Sequence, residues 1–219
     1  MKVVCLWSGG KDSCFACYKA KTSWYEIAAL FNFTDAEGKN SLSHRLPSGL
    51  IAKQAGLIGI PLVQKEMPKE TYRERFKDLI SEWKKEAGIQ GIVFGDIYLK
   101  EHKDWIDEVC KELEVEAILP LWGRNSKELI LEIINTGFKS IVVSVRDDLL
   151  EKEWLGCNID KEFIRKLKPE IDPCGEKGEF HTLVVDGPIF SRPIKILKAE
   201  PIIKESFWKH WFLDIKEYT

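Results

Sequence analysis

The sequence contains no apolar run approaching the roughly 20 residues that a membrane-crossing helix needs. Its opening run, Val3-Val4-Cys5-Leu6-Trp7, halts at Ser8-Gly9-Gly10 and is too short for the apolar core of a secretory signal. Both absences point to a cytoplasmic protein without a membrane partner. An excess of one charge is lacking as well. Lys and Arg number 33 against 35 Asp and Glu, a net charge of −2, so no basic surplus draws the chain to nucleic acid. The six cysteines form no framework. Cys14 and Cys17 make a lone C-x-x-C without the second pair or His cluster of a zinc site, and read as buried helix thiols. Cys5, Cys110, Cys157 and Cys174 are scattered, which excludes a disulfide scaffold. Internal repeats and low-complexity stretches are also missing.

What is present is enough for a core: 219 residues, 44% of them hydrophobic. Apolar runs at 2–7, 26–33, 61–65, 90–94 and 116–119 read as strands. Helical patterns at 12–21, 46–57, 69–87 and 99–113 separate them, with a polar loop at 34–42. This alternation predicts an α/β fold with a doubly wound, parallel, five-stranded sheet. The pattern changes after Leu121. Helices at 126–135 and 161–167 mix with strands at 138–145, 181–185, 194–203 and 206–215. We therefore expect a nucleotide-binding domain over 1–122 and a smaller C-terminal α+β domain over 123–219.

Ser8-Gly9-Gly10-Lys11-Asp12-Ser13 follows the first strand and opens the first helix. In an open parallel sheet, ligands bind at this carboxyl end, beside a helix N-terminus. The glycines let the backbone approach an anion, and the hydroxyls of Ser8 and Ser13 can donate to phosphate oxygens. Lys11 can offset charge on a departing group. Asp12 repels phosphate unless Mg²⁺ lies between them, so Asp12 is the candidate metal ligand. The loop is not the G-x-x-x-x-G-K-[ST] pattern. Ser-Gly-Gly-Lys-Asp-Ser instead resembles the signature of the PP-loop ATP pyrophosphatases. That resemblance implies a HUP-type sheet of order 3-2-1-4-5, bound ATP, and AMP and pyrophosphate as products. With strands one and four as neighbours, Gly95-Asp96-Ile97 would face the loop. Asp96 would then hold magnesium, orient the attacking group, or merely cap the next helix.

Residues 173–188 read Pro-Cys-Gly-Glu-Lys-Gly-Glu-Phe-His-Thr-Leu-Val-Val-Asp-Gly-Pro. By composition, Glu176, Glu179 and His181 either bind a cationic or amine-bearing substrate, handle a proton, or form a solvated turn. Gly-Glu-x-Gly-Glu-Phe-His-Thr resembles the C-terminal signature of the diphthine–ammonia ligase family. Ser43-His44-Arg45, Gln54-Ala55, Gly59-Ile60-Pro61-Leu62, Gly95-Asp96-Ile97 and Pro120-Leu121-Trp122 also resemble that family's motifs, and the match runs from Val3 to about Phe190. It implies the ATP-dependent amidation of diphthine on elongation factor 2 by ammonia, through an acyl-adenylate. It further implies nucleotide contacts from Ser8, Gly9, Gly10, Lys11, Asp12, Ser13, His44 and Gly95. Acceptor contacts are expected from Glu176, Gly178, Glu179, His181 and Thr182. Lys11, Asp96, Glu179 and His181 are the expected catalytic residues. This reading assigns the second motif to acceptor recognition and not to ATP. His44 reads equally as a satisfied histidine.

No glutaminase signature is visible, so ammonia is expected free or from a partner. His102, in a charged helix start, reads as solvated. His210 reads as packing or surface, and Phe207, Trp208, Trp211 and Phe212 read as core or homodimer contact. Three other classes stay open: an RNA-modifying PP-loop enzyme, a non-catalytic adenine-nucleotide sensor, and an interaction module built on the aromatic tail.

Overall fold

The structure is a computed structural model that describes residues 1–205 and 209–219. Five strands, β1 (Lys2–Leu6), β2 (Glu26–Thr34), β3 (Leu62–Glu66), β4 (Gly91–Val93) and β5 (Glu116–Ile118), form one sheet of order β3-β2-β1-β4-β5. All four pairings are parallel. This is the doubly wound order expected from the phosphate-loop signature.

Period-two alternation explains the two faces. On β1, Val3 and Cys5 belong to one core and Val4 to the other. The Val4 face packs under α3 (Tyr72–Ala87) and α4 (Lys100–Leu113), through Phe76, Ile80, Ile106 and Val109. The Val3 face packs under α1 (Lys11–Thr22) and α2 (Ser48–Ile58), through Phe15, Leu50 and Ile51. Pro47 precedes α2, because its fixed φ suits a helix entrance and it has no N–H to leave unpaired. The expected helix over 69–87 begins as a 3-10 turn, Lys69–Thr71, and becomes α-helical only at Tyr72.

Past β5 come α5 (Ser126–Asn135), β6 (Lys139–Arg146), α6 (Lys161–Lys166), β7 (Phe180–Asp186), β8 (Ile196–Glu205) and β9 (Lys209–Tyr218). Their strands make an antiparallel sheet of order β7-β6-β9-β8. The last expected strand, 206–215, begins on Ser206, Phe207 and Trp208, which lie outside the described residues; its described part is β9. The second sheet buries Val142, Leu183 and Ile215 in the same core as α1 and α2. It therefore sits on the face of the first sheet that carries the phosphate loop. β7 is an edge strand, and its Val184 N–H donates to the Gly9 carbonyl at 2.9 Å. The loop thus covers an edge that would otherwise be open to pairing.

Candidate active site

The phosphate loop is folded largely by its own hydroxyls. Ser8 Oγ lies 3.1 Å from Ser13 Oγ and accepts the Gly10 N–H at 3.3 Å. Ser13 Oγ donates to the Gly10 carbonyl at 3.1 Å. Gly9 turns with φ +82°, a conformation that side chains resist. Gly95, after β4, is a glycine for a different reason. A Cβ there would lie 2.9 Å from Ser13 N, so the β4 loop presses directly on the first turn of α1.

Lys11 is buried, and its ammonium donates to Asp12 Oδ2 at 2.7 Å and to the Cys174 carbonyl. Burial opposes its charge most strongly, but Asp12, Cys174 and Glu176 together outweigh burial and the Lys11 pKa rises. The other Asp12 oxygen, Oδ1, is buried without a hydrogen-bond partner. Burial raises the Asp12 pKa against the pull of Lys11.

The second motif reaches this loop across 171 positions of sequence. Thr182 Oγ1 accepts the Lys11 N–H at 3.1 Å, which supplies one of the caps that the first turn of α1 needs. The Thr182 carbonyl meets His44 Nδ1 at 2.9 Å. The His44 and His181 rings stack at 4.6 Å. Burial holds His44 down to about 4 and His181 well below its ordinary value, so both rings are neutral at pH 7. Glu176 Oε1 accepts the Ile97 N–H at 2.8 Å, fastening this loop to the Gly95-Asp96-Ile97 turn. Burial pushes Glu176 up to about 7, against that hydrogen bond. Ser8, Lys11, Asp12, His44, Asp96, Glu176 and His181 all line one cleft of about 250 Å³ at the carboxyl ends of β1 and β4.

The diphthamide synthase N-terminal domain family matches residues 1–117, and the diphthamide synthase C-terminal domain family matches 125–219. The chain belongs to the diphthamide synthase family. A relative from Schizosaccharomyces pombe named diphthine–ammonia ligase is 26% identical over 99% of this chain. A relative of the same name from Homo sapiens is 25% identical over 93% of it. The chain spans 39% of the yeast protein's length and 85% of the human one's. Among solved structures, a predicted subunit of a tRNA methyltransferase from Methanocaldococcus jannaschii matches with a TM-score of 0.45 at 16% identity, covering 86% of this chain and 98% of that one.

In this diphthamide synthase family member, the fold places the expected site residues unequally. Ser8, Lys11, Asp12, Ser13, His44, Gly95, Asp96, Glu176, His181 and Thr182 meet at the cleft. Glu179 has a different job from the one expected. It is buried, and its two oxygens accept the Asp172 N–H at 3.3 Å and the Lys177 N–H at 2.9 Å. A carboxylate spent on backbone amides braces its loop; it is not offered to an acceptor. Gly178 turns that loop with φ +79° and lies off the cleft. Thr182 and the Cys174 carbonyl bond to Lys11, so the motif, expected to serve only the acceptor, also holds the loop at residues 8–13.

His102 is exposed, as expected, and in addition its Nδ1 lies 3.0 Å from Asp96 Oδ1 and it lines the cleft. Asp96 raises its pKa. Asp172 was missed altogether. It accepts from Tyr98 Oη at 2.6 Å and from Ser126 Oγ at 3.0 Å, and so joins the β4 loop to α5.

Proposed function

We propose that the chain is an ATP-dependent ligase that amidates diphthine on elongation factor 2, taking ammonia and releasing AMP and pyrophosphate. One observation carries the reading: Thr182 and Glu176 of the second motif bond to Lys11 and Ile97, so phosphate-handling and acceptor-facing groups share a single cleft.

The chemistry requires such a meeting. A carboxylate is a poor electrophile, because its charge repels a nucleophile and it has no good leaving group. Its attack on the α-phosphate of ATP breaks the bond to the β-phosphate and yields an acyl-adenylate with pyrophosphate. Ammonia then adds to the acyl carbon, a proton leaves, and AMP departs. Lys11 offsets charge on the pyrophosphate. Holding both partners in one cleft removes most of the entropic barrier to the first step.

The acceptor carries a quaternary ammonium beside the reacting carboxylate. Asp96 supplies negative charge on that side of the cleft, and Glu176, raised to about 7 by burial, adds part of a charge at neutral pH. His44 and His181, kept neutral by burial, add no repulsion. Asp12 Oδ1, buried and unpartnered, fits a Mg²⁺ ion. Among the described residues no three His, Cys, Asp or Glu side chains form a metal-holding group. That suits an ion which takes its other ligands from phosphate and water. When bound, Mg²⁺ spreads the charge of the pyrophosphate. A translation-factor substrate places the reaction in the cytoplasm, with ammonia taken free or from a partner.

The decisive assay combines the chain, ATP, Mg²⁺, ammonium and elongation factor 2 bearing diphthine. The factor's mass and the nucleotide product are then read together. Amidated factor with AMP is expected. ADP and phosphate would sink the pyrophosphatase chemistry, and AMP without a change in the factor would sink the acceptor.

A further inference from the structure

Gln54 lies in the middle of α2 and is wholly buried. Its amide touches three separate parts of the protein. Oε1 accepts the Trp7 indole N–H at 3.1 Å. Nε2 donates to the Gly9 carbonyl at 3.0 Å and to the Val184 carbonyl at 2.7 Å. Trp7 leads into the phosphate loop, Gly9 is its left-handed turn, and Val184 belongs to β7 of the second sheet.

The chemistry of this position demands a glutamine. Two carbonyls need donors and one indole needs an acceptor, and a primary amide presents both on one planar group. A carboxylate would set lone pairs against both carbonyls. Asparagine is one methylene short. The fit is close: a Cβ added to Gly9 would come within 2.6 Å of Gln54 Oε1, so the Gly9 peptide rests directly on α2.

The Gly9 carbonyl also accepts the Val184 N–H at 2.9 Å, so α2 and β7 hold it together. In a trans peptide the carbonyl and the following N–H point in opposite directions. Turning the Gly9 carbonyl toward α2 and β7 therefore turns the Gly10 N–H the other way. There it meets Ser8 Oγ, on the lining of the cleft, at 3.3 Å.

We propose that Gln54 is a positioning residue for the phosphate loop, locking the Gly9–Gly10 peptide with its N–H on the cleft side and tying that orientation to the second sheet. This rests on reading the loop as the site of the ATP phosphates. Gln54→Met keeps the shape of the side chain and removes all three hydrogen bonds. Calorimetry on the full chain compares a non-hydrolysable ATP analogue with AMP, which lacks the β- and γ-phosphates. The analogue should bind about tenfold more weakly, as expected for one lost buried hydrogen bond, while AMP binding is unchanged. A merely structural role would weaken both ligands alike, and that result, or no change in either, overturns the proposal. If Gln54→Met does not fold, Trp7→Phe carries the test. It removes the bond that orients the Gln54 amide, and because Trp7 also lines the cleft the readout is the ratio of analogue to AMP affinity, which should fall in the same direction; an unchanged ratio overturns the proposal. A wild-type chain that binds neither ligand overturns the nucleotide reading and this proposal with it.

Discussion

The phosphate loop, residues 8–13, and residues 172–182, Asp172 with the first part of the second motif, are built from similar parts: glycines, hydroxyls, carboxylates and a basic side chain. They spend their hydrogen bonds in opposite ways. Ser8 and Ser13 bond to each other and to backbone within five residues. Asp172, Glu176 and Thr182 reach across 46 to 171 positions, to Ser126, Tyr98, Ile97 and Lys11. The first segment closes on itself through its hydroxyls, while its Gly9 and Lys11 are held from α2 and the second sheet. The second is a brace that becomes a site only when two sheets meet.

That division is tested most severely at Lys11. Lys11→Ala should lower the single-turnover amidation rate by about 10²–10³, with a smaller loss in ATP-analogue affinity, because its charge matters most as pyrophosphate departs. Equal losses in rate and affinity would make Lys11 a ground-state anchor. The next largest effect is expected in the brace. Glu179→Gln leaves an amide NH₂ facing a backbone N–H at a buried position. It should cost about 1–3 kcal/mol in denaturant unfolding, with ATP-analogue affinity unchanged. If stability holds and amidation alone collapses, Glu179 faces the acceptor after all.

Thr182→Val tests whether the second motif serves the nucleotide. It keeps the shape of the side chain and removes the acceptor for the Lys11 N–H. A weakening of the ATP analogue by roughly three- to tenfold is expected from one such bond. A motif confined to acceptor recognition would leave that affinity untouched.

The same contrast explains what the sequence made legible. The five strands and the loop after the first rest on local patterns, apolar runs, then Gly-Gly, then a helix; the strand order is implied only by the resemblance of that loop to the PP-loop signature. Glu179 and Glu176 look alike in sequence, and only the folded loop distinguishes a buried brace from a residue of the cleft. His102 carried a faint signal. It stands one turn into α4, and helical side chains lean toward the N-terminus, here toward Asp96. Gln54 carried a clearer one. It falls on the stripe Leu50, Ile51, Gln54, Ala55 and Ile58, the buried face of α2, and a polar residue on such a stripe must find partners inside.

The last effect expected concerns pH, and it separates the two segments by charge state. Burial raises Glu176 from 4.5 to about 7 in the folded chain. Between those values the folded protein keeps a proton that the unfolded chain has released. The stabilisation is therefore complete below about pH 4.5 and is lost as pH rises toward 7. His44 acts in the opposite direction: burial lowers it to about 4, so its contribution is lost as pH falls from 6.5. The two trends overlap in the wild type, and a single stability profile cannot resolve them. Comparison with Glu176→Gln does, because His44 and Asp12 are common to both proteins and largely cancel. The glutamine also keeps an acceptor for the Ile97 N–H. Relative to Glu176→Gln, the wild type should lose stability steadily from about pH 4.5 to 7 and level off above it, read from urea midpoints at each pH. A difference that stays flat across that window would mean that Glu176 is solvated in the folded protein, and the second motif would then present an ordinary charged carboxylate to its acceptor.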